Sequence, residues 1–256
     1  MPDDTVHPNE THRDDTAPHR AALIAGGTPF DWTRAFGRAA PRILDVGCGD
    51  GRFLIASALA NPGTDHLGIE VLAPLAERGL REVERLELGN LRLCIGDAVK
   101  WLAQSADDAS IDELHVYHPQ PYYDPSIVAL GMLSAAFIER AWHVVRPGGR
   151  LVLQTDSKPH GKHLLLAVNK HFDPTIQRGP WPDAPRGRTR REEVAQRKKL
   201  AILRVVATRR DVPLDVATPP PYFEAGRPGL QTVRRRGGGP GVRHVLFVYP
   251  QSRPRS

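Results

Sequence analysis

Short apolar runs alternate along this chain with stretches whose apolar positions recur every three or four residues. Runs of the first kind predict buried strands, and stretches of the second kind predict amphipathic helices. Strands are expected over 42–46, 66–71, 91–95, 112–117 and 150–155. Helices are expected over 51–59, 73–88, 98–102, 126–145 and 162–171. The breaker Asn61-Pro62-Gly63 ends the first helix, and Arg146-Pro147-Gly148-Gly149 ends the long apolar one. An aromatic lead-in over 29–37 reads as a helical turn packed against the sheet edge. This rhythm predicts an α/β fold, a Rossmann-like, doubly wound and mostly parallel sheet.

The two ends break the pattern. Residues 1–20 are polar and aperiodic and read as a disordered tail. After Gln177 comes an Arg-rich connection, then a polar helix, then an alternating run over 200–208 that reads as a late strand. Residues 211–241 are rich in Pro and Gly and end in RRRGGGPG, and 242–249 reads as a last strand. The expected organisation is a tail over 1–20, one domain over 21–210 and a basic extension over 211–256.

Composition adds bounds. With 256 residues, 40% hydrophobic and 25% charged, the chain suits one soluble globular domain with additions. No apolar run approaches the roughly 18 residues of a membrane span, and the N-terminus lacks the pattern of a signal peptide. Cys48 and Cys94 give no disulfide framework, so the cytoplasm is the expected compartment. The histidines His115, His118, His160 and His163 have no recognisable zinc spacing, so no metal is expected. The net charge of +6 is uneven, acidic over the first 16 residues and dense in arginine from Arg178 onward. That asymmetry suits a polyanionic partner such as nucleic acid, and equally a solvated Arg-rich surface.

The candidate chemistry begins at PRILDVGCGDG over 41–51. A strand ends in an acid, Asp45, and then in Gly47, Gly49 and Gly51 ahead of a helix. Glycines let the backbone close tightly and approach a ligand without a Cβ in the way. The helix start behind them offers free N–H groups to an anion. The dinucleotide fingerprint G-x-G-x-x-G is not met, which disfavours a nicotinamide oxidoreductase.

In a doubly wound sheet the ligand sits at the carboxyl ends of the strands. Those ends carry Asp45, Glu70, Asp97, the cluster 118–122, and Thr155-Asp156. Glu70 can accept two ribose hydroxyls. Asp97 can accept from an adenine amino group, cap the next helix, or both. Asp45 can bind an ammonium or orient the loop. Together they suit S-adenosylmethionine, whose sulfonium favours an acidic cleft.

The segments PFDWTRAFGRAAPRILDVGCGDGRF, NPGTDHLGIEV and NLRLCIGDAV, the P-x-P-aromatic loop, LQTD and TRREEVAQRKKLAILRV occur in order over 29–209. In these the chain resembles the bacterial tRNA (guanine-N7-)-methyltransferase family of class I methyltransferases. The resemblance implies S-adenosylmethionine as cofactor, held by Asp45, Gly47, Gly49, Gly51, Glu70, Asp97 and Gln120. It implies tRNA as partner, held with its guanine by Asp156, Thr189 and Glu192, and methylation at guanosine N7 in the variable loop. No membrane partner is implied, and a monomer is the expected state.

The chain departs from the family in the loop after the fourth strand. The family reads Pro/Ser-Asp-Pro-Trp followed by basic residues, whereas here the loop is Pro119-Gln120-Pro121-Tyr122-Tyr123-Asp124. The family's catalytic aspartate falls on Gln120, its tryptophan on Tyr122 and its lysine on Asp124. Guanine N7 has an in-plane lone pair and no proton to remove, so positioning and electrostatics carry such a transfer. Gln120 keeps an acceptor and loses the charge, which predicts weaker catalysis. Arg178, Arg186, Arg188 or the 234–236 arginines are expected to take over phosphate contact. Tyr122 and Tyr123 could stack on a base or cover the cofactor cleft. Two alternatives remain: a methyltransferase with another substrate, and a catalytically silent tRNA-binding paralogue.

Overall fold

The computed structural model describes residues 29–120, 132 and 134–213. Among the described residues seven strands form one sheet: β1 (Arg42–Val46), β2 (Asp65–Glu70), β3 (Leu91–Ile95), β4 (Ile111–Tyr117), β5 (Val145–Thr155), β6 (Phe172–Ile176) and β7 (Leu203–Arg209). Their order is β3-β2-β1-β4-β5-β7-β6. The first five pair in parallel, while β7 is antiparallel to both β5 and β6. The helices are α1 (Trp32–Phe36), α2 (Arg52–Ala60), α3 (Ala73–Arg85), α4 (Ala98–Gln104), α5 (Ala135–Val144), α6 (Lys158–Asn169) and α7 (Arg190–Arg197). Among the described residues no helix is long and apolar enough to cross a membrane.

Side chains alternate across a strand, and the two faces bury separate cores. Leu44, Val46, Leu114, Val116, Leu151 and Leu153 pack with Trp32, Leu102, Phe137 and Leu164 from α1, α4, α5 and α6. Ile43, Tyr117 and Val152 pack on the other face with Phe53, Leu80 and Val83 from α2 and α3, and with Trp181. Asp45 and Gln154 share the second face by strand alternation, as does Glu70, because Leu67 and Ile69 belong to the first core. The polar residues near the ends of β1, β2 and β5 therefore lie on one face.

The lead-in behaves as expected from its residues. Asp31 caps α1 by accepting from the Arg34 amide, and Gly37 ends it at φ 72°. Phe30 and Trp32 stack edgewise at 5.2 Å, and Phe30 meets Trp101 of α4 at 5.7 Å.

Several boundaries differ from the sequence reading. The second strand stops at Glu70, leaving Val71 64% exposed. The helix expected over 162–171 begins at Lys158, with Pro159 in its first turn, where no N–H is needed. The expected turn over 146–149 is folded into the start of β5, where the register shifts between the pairs Ile111–Val145 and Glu113–Arg150. Strand β6 was not expected. Among the described residues it is an edge strand, and it tolerates Pro174 because one side has no described neighbour. The long helix expected over 126–145 is described only as α5. The 1–20 tail, Tyr122, Tyr123, Asp124, the 234–236 arginines and the 242–249 strand lie outside the described residues.

Candidate functional site

The turn after β1 takes the backbone shape its glycines permit. Gly47, Gly49 and Gly51 have φ of 75°, 62° and 68°, the left-handed region that L side chains rarely adopt. A Cβ on Gly49 would meet open space, whereas one on Gly51 would press on Leu93 at 3.3 Å. The amides of Gly47 and Cys48 both donate to the Ile69 carbonyl at 2.8 and 3.1 Å. Glu70 Oε2 accepts from the Gly49 amide and Oε1 from the Leu72 amide, each at 2.9 Å. Each carboxylate oxygen keeps a further lone pair for a ligand. Helix α2 starts behind this turn without a side-chain cap on its first N–H groups.

Asp45 is 2% exposed, and among the described residues its Oδ1 has no hydrogen-bond partner. Burial, reinforced by the neighbouring Glu70 charge and opposed by Arg188, pushes its pKa up to about 8. A buried carboxyl in this condition is stabilised by any cation that reaches it. Asp97 caps α4 through Oδ1, accepting from Val99 and Lys100 at 3.0 and 3.1 Å. Its side chain is exposed and its other oxygen remains for a ligand.

A second group gathers at the ends of β4 and β5. His118, at φ 49°, donates its amide to the Gln154 carbonyl at 2.7 Å. Its ring lies 3.1 Å from Asp156 Oδ1 and 2.7 Å from Gln154 Nε2. Asp156 Oδ2 accepts from Arg191 at 2.5 Å. Burial raises the Asp156 pKa, but the bonds from His118 and Arg191 outweigh it, and the carboxyl falls to about 2. Gln120 follows two residues after His118 and is exposed.

Thr189 caps α7 by accepting from the Glu192 amide at 3.2 Å. Glu192 is fully buried. Its Oε1 accepts two bonds from Arg204, at 2.9 and 2.7 Å, and its Oε2 accepts from the Arg188 amide at 2.8 Å. The Glu192 carboxylate thereby fixes the turn that presents Thr189. Arg188 is turned inward, held by both oxygens of Asp183, by the Tyr117 hydroxyl at 2.8 Å, and over the Trp181 ring at 4.1 Å. It is therefore withdrawn from the phosphate contact expected of it, while Arg178 and Arg186 are exposed.

On the same sheet face, Glu113, His115 and Tyr117 form a ladder along β4, with His115 bonded to Tyr117 at 2.9 Å and to Glu113 at 3.2 Å. Burial pushes the His115 pKa down and the Tyr117 pKa up. A groove of about 570 Å³ runs beside them, lined by Arg52, Phe53, Ser57, His115, Asp183 and Arg188. It extends toward the amino ends of β1 and β4, past Ile43 and Glu113, away from the glycine turn.

Sequence reasoning thus located Asp45, the three glycines, Glu70, Asp97 and Asp156 at the strand ends. It did not single out Gln154, Trp181 or Arg191 as parts of one network. The available signal was an isolated tryptophan in an otherwise polar connection.

Residues 39–205 match the family model described as "Putative methyltransferase". The chain is 35% identical over 161 residues to the tRNA (guanine-N(7)-)-methyltransferase of Alkalilimnicola ehrlichii, covering 63% of this chain and 68% of that protein. It is 34% identical over 175 residues to the enzyme of that name from Halorhodospira halophila, covering 66% and 75%. It is 34% identical over 144 residues to the one from Chromobacterium violaceum, covering 56% and 64%. The chain spans about two thirds of the length of these curated relatives.

Proposed function

The chain belongs to the tRNA (guanine-N7-)-methyltransferase family, and on that premise we propose that it transfers a methyl group from S-adenosylmethionine to N7 of a guanosine in the tRNA variable loop, in the cytoplasm. The observation that carries the cofactor half is the buried, unpartnered Asp45 Oδ1 beside three left-handed glycines and Glu70. These residues fit the donor: an unmatched carboxyl meets its ammonium, and Cβ-free backbone admits its methionyl part. The remaining lone pairs of Glu70 would accept from the ribose hydroxyls, and the second oxygen of Asp97 would accept from the adenine amino group.

The donor supplies an electrophilic methyl group on a sulfonium. The chain's part is to orient the acceptor. Guanine N7 needs no base, so the residues that matter hold the ring and stabilise the positive charge forming on it. Gln120, Asp156 and Thr189 are assigned to that task, and the buried Glu192 shapes the turn that carries Thr189 rather than touching the guanine. Asp156 is ionised and anchored from two sides, which suits a fixed acceptor for guanine N–H donors. Gln120 supplies an oxygen without charge, and this favours a second reading as a weakly active or silent tRNA-binding relative.

Methyl transfer from labelled S-adenosylmethionine to unmodified bulk tRNA, with nucleoside mass spectrometry of the product, tests the proposal. N7-methylguanosine is the expected product. Cofactor binding without transfer would point to another substrate, and neither binding nor transfer to the silent relative.

A further inference from the structure

The five side chains Trp181, Gln154, His118, Asp156 and Arg191 form a single hydrogen-bonded line across four segments of the fold. An indole N–H can only donate, so the Gln154 atom 2.5 Å from Trp181 Nε1 is the amide oxygen. The Gln154 amide nitrogen therefore faces His118 Nε2 at 2.7 Å, and it too can only donate. His118 Nε2 must accept. At the other side of the ring, the Asp156 carboxylate can only accept, so His118 Nδ1 carries the proton at 3.1 Å. Arg191 closes the line on the second Asp156 oxygen at 2.5 Å.

The line is buried. Gln154 is 1% and Trp181 3% exposed, and the side chains of His118 and Asp156 are 5% and 8% exposed. Its central residue also holds a left-handed backbone, at φ 49°. For a non-glycine residue this backbone shape is strained and persists only where the surroundings over-determine it. Here they do so through a backbone bond to the Gln154 carbonyl and one bond at each ring nitrogen. Two residues later the chain reaches Gln120.

We infer that His118 is a positioning residue, fixed as its Nδ1–H tautomer by Gln154 and Asp156, and that it sets the direction in which the 119–120 loop leaves β4. Flipping the Gln154 amide to suit the other tautomer would set two donors against each other at Trp181, so the line admits one proton arrangement. Because Arg191 lies in α7, next to Thr189 and Glu192, the same line ties the loop carrying Gln120 to the turn assigned to substrate. The tautomer stands on the geometry alone, whereas the catalytic consequence rests on the proposed methyl transfer.

Two measurements on the full chain decide it. In ¹⁵N-histidine-labelled protein, the His118 signal, assigned by its loss in His118→Asn, is expected to show a proton on Nδ1 and a pyridine-type Nε2. In methyl transfer, His118→Leu should lower kcat at least tenfold with S-adenosylmethionine affinity within twofold of wild type. His118→Asn, which tolerates the left-handed backbone and keeps a donor toward Asp156, should recover most of that loss. An Nε2–H or doubly protonated ring, full turnover in His118→Leu, or no recovery in His118→Asn would each overturn the inference. A wild-type chain that transfers no methyl group contradicts the proposed function instead, and the tautomer then decides the relay alone.

Discussion

Glu70, the last residue of β2, accepts a hydrogen bond from the Gly49 amide at 2.9 Å and so ties the glycine turn after β1 to the neighbouring strand. Its other oxygen holds the start of the segment leading into α3, through the Leu72 amide. One carboxylate thus shapes two walls of the proposed cofactor site. Glu70→Ala should weaken S-adenosylmethionine binding about thirtyfold, corresponding to ~2 kcal/mol for lost charge-assisted bonds. Glu70→Gln should fall between, since its amide nitrogen opposes one of the two N–H groups. Calorimetric titration reads both, and unchanged affinity in Glu70→Ala would remove Glu70 from the site.

The raised pKa of Asp45 gives a pH dependence with a definite sign. The unfolded chain releases this proton near pH 4, while the folded protein keeps it to about pH 8. The folded state therefore binds the extra proton, and stability falls as pH rises through that window. Asp45→Asn, which cannot ionise, should lack this part of the fall. An ammonium ligand favours the carboxylate, so cofactor binding near pH 7 should release a proton, and calorimetry in buffers of different ionisation enthalpy measures it. Equal proton release in wild type and Asp45→Asn would contradict the assignment.

Glu192 and Arg204 form a buried pair joining α7 to β7. Removing one partner leaves an uncompensated buried charge, so Glu192→Ala should cost roughly 3–5 kcal/mol in chemical denaturation. A loss below about 1 kcal/mol would mean that water or another group reaches Arg204 at once.

Gln120→Asp should raise turnover on tRNA. The added charge stabilises the cation forming on guanine, and this outweighs a side chain one methylene shorter. Steady-state rates at saturating tRNA check this, and unchanged or lower turnover would mean that the loop is built for another acceptor.

What the sequence revealed follows from how local each cause is. The glycine turn was legible because three residues without a Cβ occupy three left-handed positions at every second residue. Glu70 and Asp97 were legible because an apolar run fixes a strand end to within a residue. Strand β6 was not legible, since Pro174 and Asp173 interrupt its apolar pattern, and only pairing with β7 makes it a strand. The Glu192–Arg204 pair and the line through His118 were hidden for the same reason. Each joins residues far apart in the chain, and the polar partners leave no periodic trace. Arg188 shows the limit most clearly. Its charge suggests a phosphate contact, yet Asp183, Tyr117 and Trp181 draw it inside.

The most direct test compares methyl transfer to a tRNA transcript carrying guanosine in the variable loop with transfer to the same transcript carrying 7-deazaguanosine there, which has carbon in place of N7. The account predicts one methyl group on the first transcript, recovered as N7-methylguanosine, and none on the second. Equal transfer to both would contradict N7 as the acceptor.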